Sequence, residues 1–219
     1  MYHSFMLRLK SQLKLKILLL ISASIVAGVP YFLLQRYIFF SVTIMPSSFI
    51  DKWISFNDKG IWLYQSLYFL TSFVALQFIE KEKLLQYSMG VILICIISYC
   101  FFLFVPTECP RPSANGTCTF YQRFVTIESP LNAFPSLHVA LAMYAALSAT
   151  YYTEINKIWR FIVWFWALAI VYSTLITKQH VMIDVLGGGV LAIIIYKIGK
   201  KEGMHDRFYF WFNKISCKL

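Results

Sequence analysis

Long apolar runs separated by short charged segments dominate this chain of 219 residues. A helix of about 20 apolar residues crosses the hydrocarbon core of a bilayer, and most of these runs are close to that length. The pattern therefore predicts an all-α, polytopic membrane bundle of six transmembrane helices. The predicted spans are residues 17–40, 61–79, 84–105, 135–153, 161–176 and 181–198.

The segments between the runs also carry information. Residues 41–60 are mixed in character and contain Trp53, which is typical of an interfacial segment. Residues 106–133 form the longest polar connection, and its four prolines exclude one continuous helix. The first apolar run admits a second interpretation, a cleaved signal peptide, because residues 23–28 are small. Its continuation through Phe40 favours a membrane-spanning helix.

The composition supports a membrane protein, because 59% of the residues are hydrophobic and only 14% are charged. Soluble domains carry about 25% charged residues. We therefore interpret residues 1–219 as a single transmembrane domain, with a core at about residues 51–198 and a basic cytoplasmic tail at residues 199–219. The net charge of +10 does not indicate nucleic-acid binding, because the basic residues lie mainly in the short connections.

The distribution of basic residues predicts the orientation in the membrane. Fourteen of the twenty lysine and arginine residues lie in segments on the side of the N-terminus, and six lie on the opposite side. Because positive residues favour the cytoplasmic side, both termini are predicted to be cytoplasmic. Cys109 and Cys118 flank the long polar connection on the outer side, where the sequence is compatible with a disulfide or with two free thiols.

Two polar clusters stand at the ends of apolar runs. The first is Phe134-Pro135-Ser136-Leu137-His138, and the second runs from Tyr172 to His180 and is followed by Asp184. A histidine at a membrane boundary is costly unless it has a function. His180 and Asp184 are four residues apart, so on a helix they share one face and the carboxylate can orient the imidazole. Each residue alone is compatible with a structural role, but the combination indicates an enzyme.

These clusters resemble the second and third signature motifs of the type 2 phosphatidic acid phosphatase superfamily, Pro-Ser-x-His and Ser-Arg-x5-His-x3-Asp. The resemblance covers about residues 51–189. It implies a phosphohistidine mechanism with no metal and no cofactor. His180 would be the nucleophile, Asp184 its orienting partner and His138 the acid for the leaving group. The implied phosphate contacts are Arg111, within the first motif, and Ser136.

Three positions depart from the family pattern. Phe104 stands where the first motif has lysine, Leu137 replaces the glycine of Pro-Ser-Gly-His, and Thr174 replaces the arginine of Ser-Arg. Two phosphate-binding cations are therefore missing, and Lys178 is predicted to replace one of them. The departures resemble the branch that contains inositol phosphorylceramide synthases and their bacterial relatives. Members of that branch transfer a phosphorylated headgroup between lipids or hydrolyse one.

The sequence thus predicts a lipid phosphatase that acts on a lipid phosphate monoester or diphosphate. The alternative is a lipid phosphotransferase, and a non-catalytic transporter or scaffold is a third interpretation. The expected partners are a phosphorylated lipid substrate and membrane lipids, without nucleic acid, and the oligomeric state is left open. The expected location is the bacterial inner membrane, with the active site facing the periplasm or the exterior.

Overall fold

The structure is a computed structural model that describes residues 2–153 and 155–200, and most of that part is helical. The predicted tail therefore lies almost wholly outside the described residues, as does Glu154 of the predicted charged turn. The helices of the described part are α1 (Tyr2–Lys10), α2 (Leu13–Arg36), α3 (Phe49–Trp53), α4 (Ile61–Gln65), α5 (Leu67–Leu76), α6 (Lys81–Phe104), α7 (Thr119–Ile127), α8 (Leu137–Tyr152), α9 (Lys157–Ile176) and α10 (Met182–Lys200).

Helix α8 is the centre of the bundle. Twelve of its sixteen residues are buried, and α5, α6, α9 and α10 pack around it. Its sequence explains this position, because five of its residues are alanines. Small side chains allow neighbouring helices to approach closely where the hydrophobic effect does not drive association. The other long helices surround α8 and expose apolar side chains outwards, as expected in a membrane.

All six predicted spans contain helix, although the first ends at Arg36 and not at residue 40, and only four of the described helices are long and apolar enough to cross a membrane. These four are α2, α6, α9 and α10. The predicted span at 61–79 is divided into α4 and α5, and α8 has only sixteen residues. The fold is therefore a helical membrane bundle, whereas the count of six spans and the cytoplasmic placement of both termini stay predictions.

The described part is mostly helical, as the all-α prediction expects, but it also contains one short strand pair that was not predicted. Two short strands, β1 (Thr43–Ile44) and β2 (Thr107–Glu108), form a parallel pair, and Glu108 also bridges to Leu131. Their backbone hydrogen bonds tie together three connecting segments at the end of the bundle that carries the motifs. Strands of two residues have too short a pattern to be recognised in a sequence.

The long polar connection contains a helix that the sequence did not predict. Helix α7 begins after Cys118, in the part of the connection without proline, so the prolines exclude a helix only through the first half. Tyr121 and Phe124 are its buried residues, whereas Arg123 is exposed. Cys109 and Cys118 are free thiols, and the sulfur of Cys109 lies 3.6 Å from the carbonyl oxygen of Lys178.

Helices α8 and α10 approach each other closely at their N-terminal ends. A Cβ atom at Gly188 would lie 2.4 Å from the carbonyl oxygen of Ser136, and one at Gly187 would lie 2.5 Å from the ring of Phe134. Both glycines therefore permit this close packing. Gly189 is different, because nothing lies within 4 Å of its Cβ position.

Substitution of Gly188 should therefore disturb the bundle. In the Gly188→Ala variant the new methyl group meets backbone, which cannot move as easily as a side chain, and overpacking of this kind costs about 1–3 kcal/mol. We expect a lower thermal unfolding temperature in detergent. Gly189→Ala is the matched control and should unfold at or above the wild-type temperature, since alanine favours a helix. Equal stability of the two variants would contradict the close approach.

Candidate active site

His180 and Asp184 lie together, as their spacing predicted. Nδ1 of His180 is 3.5 Å from Oδ2 of Asp184, and both side chains are buried. His180 precedes the first residue of α10, so it belongs to the turn before the helix and not to the helix itself. Oδ2 of Asp184 also accepts a hydrogen bond from the N–H of Val181, at 3.0 Å. The carboxylate therefore caps α10 and faces the imidazole at the same time.

The turn between α9 and α10 fixes the backbone of His180. The N–H groups of Gln179 and His180 both donate to the carbonyl of Thr174, at 3.0 and 3.2 Å. Lys178 has a φ of 54°, in the left-handed region that ends many helices. The hydroxyl of Thr174 donates to the carbonyl of Val171 and is fully buried. This side chain therefore does not replace the cation of the arginine in the family motif.

Asp51 connects this turn to the preceding interfacial segment. Its Oδ1 accepts from the N–H of Met182 at 2.8 Å, while Oδ2 accepts from the N–H and hydroxyl of Ser48 at 2.7 and 2.6 Å. Nζ of Lys178 donates to the carbonyls of Asp51 and Ile54, at 2.6 and 2.5 Å. Lys178 thus holds the end of α3, and a direct contact with phosphate would require its ammonium to leave these carbonyls.

Ser136 and His138 form the start of α8. The hydroxyl of Ser136 accepts from the N–H of Val139 at 3.3 Å, as an N-cap does. The N–H of Ser136 donates to the carbonyl of Asp184 at 3.1 Å, which joins the two motifs directly. The ring of His138 stacks on Tyr64 with a centroid distance of 3.8 Å. His138 is 7% exposed, and within the described residues its Nε2 has no hydrogen-bond partner.

Arg111 reaches the same place from the long connection. Its Nη1 donates to the backbone carbonyl of Glu128 at 2.7 Å, and its guanidinium lies 5.9 Å from the centre of the Phe124 ring. The ring of Phe124 packs against Tyr64, which stacks on His138, so these contacts place Arg111 on the side of His138 that Tyr64 covers. The structure therefore brings together five of the predicted site residues: Arg111, Ser136, His138, His180 and Asp184. The ammonium of Lys178 instead contacts the carbonyls of Asp51 and Ile54.

Glu128 is a residue of this site that the sequence analysis missed. Its Oε1 accepts a hydrogen bond from the hydroxyl of Tyr31 at 2.7 Å, and its side chain is buried. Burial raises the pKa of the Glu128 carboxyl above its ordinary value, whereas Arg111, the hydrogen bond from Tyr31 and His180 act in the opposite direction. No local motif marks Glu128, because its partners are far away in the chain.

The sequence was also compared with known proteins. The sequence model of the PAP2 superfamily matches residues 32–198, which is more than half of the chain. The chain belongs to the PAP2 superfamily. No curated protein and no solved structure matches it. As a PAP2 superfamily protein with long apolar helices, it is a membrane protein of phosphatase type. Among the described residues, no group of three or more His, Cys, Asp or Glu side chains is arranged to hold a metal ion.

The three departures from the PAP2 motifs occupy different surroundings. Phe104 is exposed and faces Phe40, with a centroid distance of 6.1 Å. Thr174 is buried in the last turn of α9, and Leu137 is buried beside His138. Neither Phe104 nor Thr174 contributes a charge, so of the three motif positions that carry a cation in the family pattern, Arg111 alone carries one here.

The buried carboxyl of Glu128 predicts a specific pH dependence. A raised pKa moves the ionisation of the Glu128 carboxyl to a higher pH than that of an ordinary glutamate, and ionisation places a negative charge near the bound phosphate. Glu128→Gln cannot ionise. The ratio of its kcat/KM to the wild-type value should therefore rise with pH. A repulsion of about 1–2 kcal/mol would give a ~5–30-fold change in that ratio.

Tyr31→Phe is the control for this experiment. It removes the hydrogen bond that lowers the pKa of Glu128 but leaves the carboxyl in place. The pH dependence should therefore remain and move to higher pH. If the kcat/KM of Glu128→Gln relative to wild type stays constant with pH, the proposed effect of the Glu128 carboxylate on the phosphate is contradicted.

Proposed function

We propose that this protein is an integral-membrane lipid phosphatase that hydrolyses a phosphate monoester or diphosphate of a lipid through a phosphohistidine at His180. The observation that carries the proposal is the meeting of His180, Asp184 and His138 at the joined N-terminal ends of α8 and α10. Two histidines and a carboxylate provide a nucleophile, an orienting group and an acid, which a metal-independent phosphoryl transfer requires.

In the first step His180 attacks the phosphorus atom. Asp184 faces Nδ1, so a proton on Nδ1 leaves the lone pair of Nε2 free for the attack. The new bond joins Nε2 to phosphorus, and the bond from phosphorus to the lipid oxygen breaks. Nε2 of protonated His138 gives its proton to the departing alkoxide. The 3.5 Å separation of His180 and Asp184 is long for a hydrogen bond, and such contacts commonly tighten when substrate binds.

In the second step water replaces the lipid alcohol. Neutral His138 takes a proton from the water as its oxygen attacks phosphorus, and the bond to Nε2 of His180 breaks. Arg111 is suited to bind the phosphoryl oxygens, since its Nε has no partner among the described residues. The first amides of α8, which follow Ser136, favour an anion as well. Lys178 supplies a further positive charge from the turn.

The charge distribution supports an active site on the outer face of the membrane. With both termini in the cytoplasm, the N-terminal end of α8 and the long connection lie outside. In a bacterium this would be the periplasmic face of the inner membrane.

A lipid phosphotransferase is the second candidate. It would form the same phosphohistidine, but a lipid alcohol instead of water would attack it. The replacements at Phe104, Leu137 and Thr174 favour this candidate, because they resemble the branch that contains inositol phosphorylceramide synthases. The two candidates differ in the acceptor of the second step, and a transferase that moves a headgroup also starts from a diester, so that the headgroup stays on the phosphorus bound to His180.

The decisive experiment incubates purified protein with radiolabelled lipid phosphates and measures free phosphate, new phospholipids and acid-labile phosphoprotein. Hydrolysis releases phosphate, and transfer yields a new phospholipid. We expect His180→Ala to abolish turnover and the phosphoprotein, whereas His138→Ala should slow both formation and breakdown of the intermediate by ~10²–10⁴-fold. Wild-type turnover in His180→Ala would reject the mechanism, and no turnover with any substrate would favour a non-catalytic protein.

The phosphate-binding role of Lys178 can be separated from its structural role. Arg111 alone compensates little of the nearly two negative charges of a monoester. We therefore expect Lys178→Met to lower kcat/KM by ~10²–10³-fold, the usual cost of a contact that strengthens in the transition state. Arg123→Met, which removes an exposed charge on the same side, should change it much less. A lower unfolding temperature of Lys178→Met with full activity of the folded protein would restrict Lys178 to holding α3.

A further inference from the structure

His138 is oriented by neighbouring rings instead of by a hydrogen bond. Its imidazole lies nearly flat on the ring of Tyr64, with a centroid distance of 3.8 Å and an angle of 20° between the planes. In the described part of the chain, no carboxylate pairs with His138, and its Nε2 has no hydrogen-bond partner. His180 differs, because Asp184 faces its Nδ1. The two histidines of the site are therefore held by different kinds of contact.

Tyr64 is itself firmly held. Its side chain is buried, and the ring of Phe124 packs against it edge to face with a centroid distance of 5.6 Å. Tyr64 lies on α4, which ends at an interruption of the helix around Ser66. The hydroxyl of Ser66 donates to the carbonyl of Leu63 at 2.6 Å and accepts a hydrogen bond from the indole N–H of Trp166, in α9, at 2.8 Å. These contacts fix the end of α4 and with it the position of the Tyr64 ring.

A second tyrosine limits the imidazole from another direction. Tyr68, near the start of α5, meets the ring of His138 edge to face, with a centroid distance of 6.4 Å and an angle of 75° between the planes. The two tyrosine rings together restrict rotation of the imidazole. They leave Nε2, which lies in the plane of the imidazole, without a partner among the described residues. Nε2 is the atom that carries the proton in the proposed mechanism.

Ring stacking also suits the charge that His138 must carry. The first step of the proposed mechanism needs a protonated imidazole, and a buried cation is costly without a compensating group. The face of an aromatic ring attracts a cation. A carboxylate would attract it as well, but would hold the proton in a hydrogen bond. The ring of Tyr64 contacts the face of the imidazole, so it can favour the cation while the proton on Nε2 stays available.

We propose that Tyr64 is a positioning residue for His138, whose imidazole plane it fixes and whose protonated form it stabilises. The inference rests on the proposed function, in which the bond from phosphorus to the lipid oxygen breaks as Nε2 of His180 bonds to phosphorus. The departing oxygen keeps the electron pair of the broken bond and takes the proton from Nε2 of His138. The neutral imidazole that results is still stacked on Tyr64, oriented to take a proton from water in the second step.

Two substrates with different leaving groups test the proposal. The alkoxide of octyl phosphate needs a proton to leave, whereas the weakly basic phenolate of para-nitrophenyl phosphate does not. The value of kcat/KM reports formation of the phosphohistidine. In Tyr64→Leu, kcat/KM with octyl phosphate should fall by roughly tenfold, or about 1.4 kcal/mol, which is within the range of a buried contact between a cation and a ring. With para-nitrophenyl phosphate it should fall by less than about twofold.

Two further variants separate this role from packing. Tyr64→Phe keeps the ring and should retain the wild-type ratio of the two kcat/KM values. Trp62→Leu removes an exposed ring from the same helix, one that stacks on Phe120, and should retain that ratio as well. Equal decreases with both substrates in Tyr64→Leu would overturn the proposal, because they would indicate a general loss of packing.

NMR spectra of protein labelled at histidine report the charge of His138 without turnover. The His138 signal is assigned by its loss in His138→Ala. At the pH where wild-type His138 is half protonated, the protonated fraction should be smaller in Tyr64→Leu and unchanged in Tyr64→Phe. An unchanged fraction in Tyr64→Leu would overturn the proposal. A smaller fraction in a protein that hydrolyses neither phosphate would retain the effect of Tyr64 on His138 and reject the proposed phosphatase.

Discussion

The site depends on the close approach of two helix ends. Ser136, at the start of α8, donates its N–H to the carbonyl of Asp184 in the first turn of α10. This contact forms only because Gly188, one turn later in α10, has no side chain. It fixes His138, which follows Ser136 by two residues, relative to His180, which precedes Asp184 by four. The mutual position of the two histidines is therefore set by backbone and does not depend on flexible side chains.

A second layer of polar contacts supports this junction. The carboxylate of Asp51 accepts from the N–H of Met182 and from Ser48, so one side chain caps both α10 and α3. Lys178 adds its ammonium to carbonyls at the end of α3. Unpaired polar groups in a weakly polar environment are costly, so these contacts favour one conformation of the turn. Through these contacts the interfacial segment helps to hold the backbone on both sides of His180, the candidate nucleophile.

The sequence predicted the parts of the fold and site that follow from local spacing. The apolar runs predicted the helices, and the spacing of His180 and Asp184 predicted their contact. It did not predict the roles of Glu128 and Asp51, because their partners, Tyr31 and Met182, are 97 and 131 residues away. The strand pair was missed for the same reason. Each strand has only two residues, which is too short for a recognisable pattern, and each forms only by pairing with the other.

The charge of the site bears on the choice between hydrolysis and transfer. A phosphate monoester brings nearly two negative charges and a phosphodiester brings one. Arg111 lies at the site, but Lys178 is held by carbonyls, and Glu128 adds a carboxyl whose pKa burial raises. If Lys178 remains on those carbonyls, the single cation suits a diester, which is the substrate of a headgroup transferase. If its ammonium moves to the phosphoryl group, a monoester is compensated and a phosphatase is favoured. The position of the Lys178 side chain therefore separates the two proposed reactions by the charge of the phosphate group that each must bind.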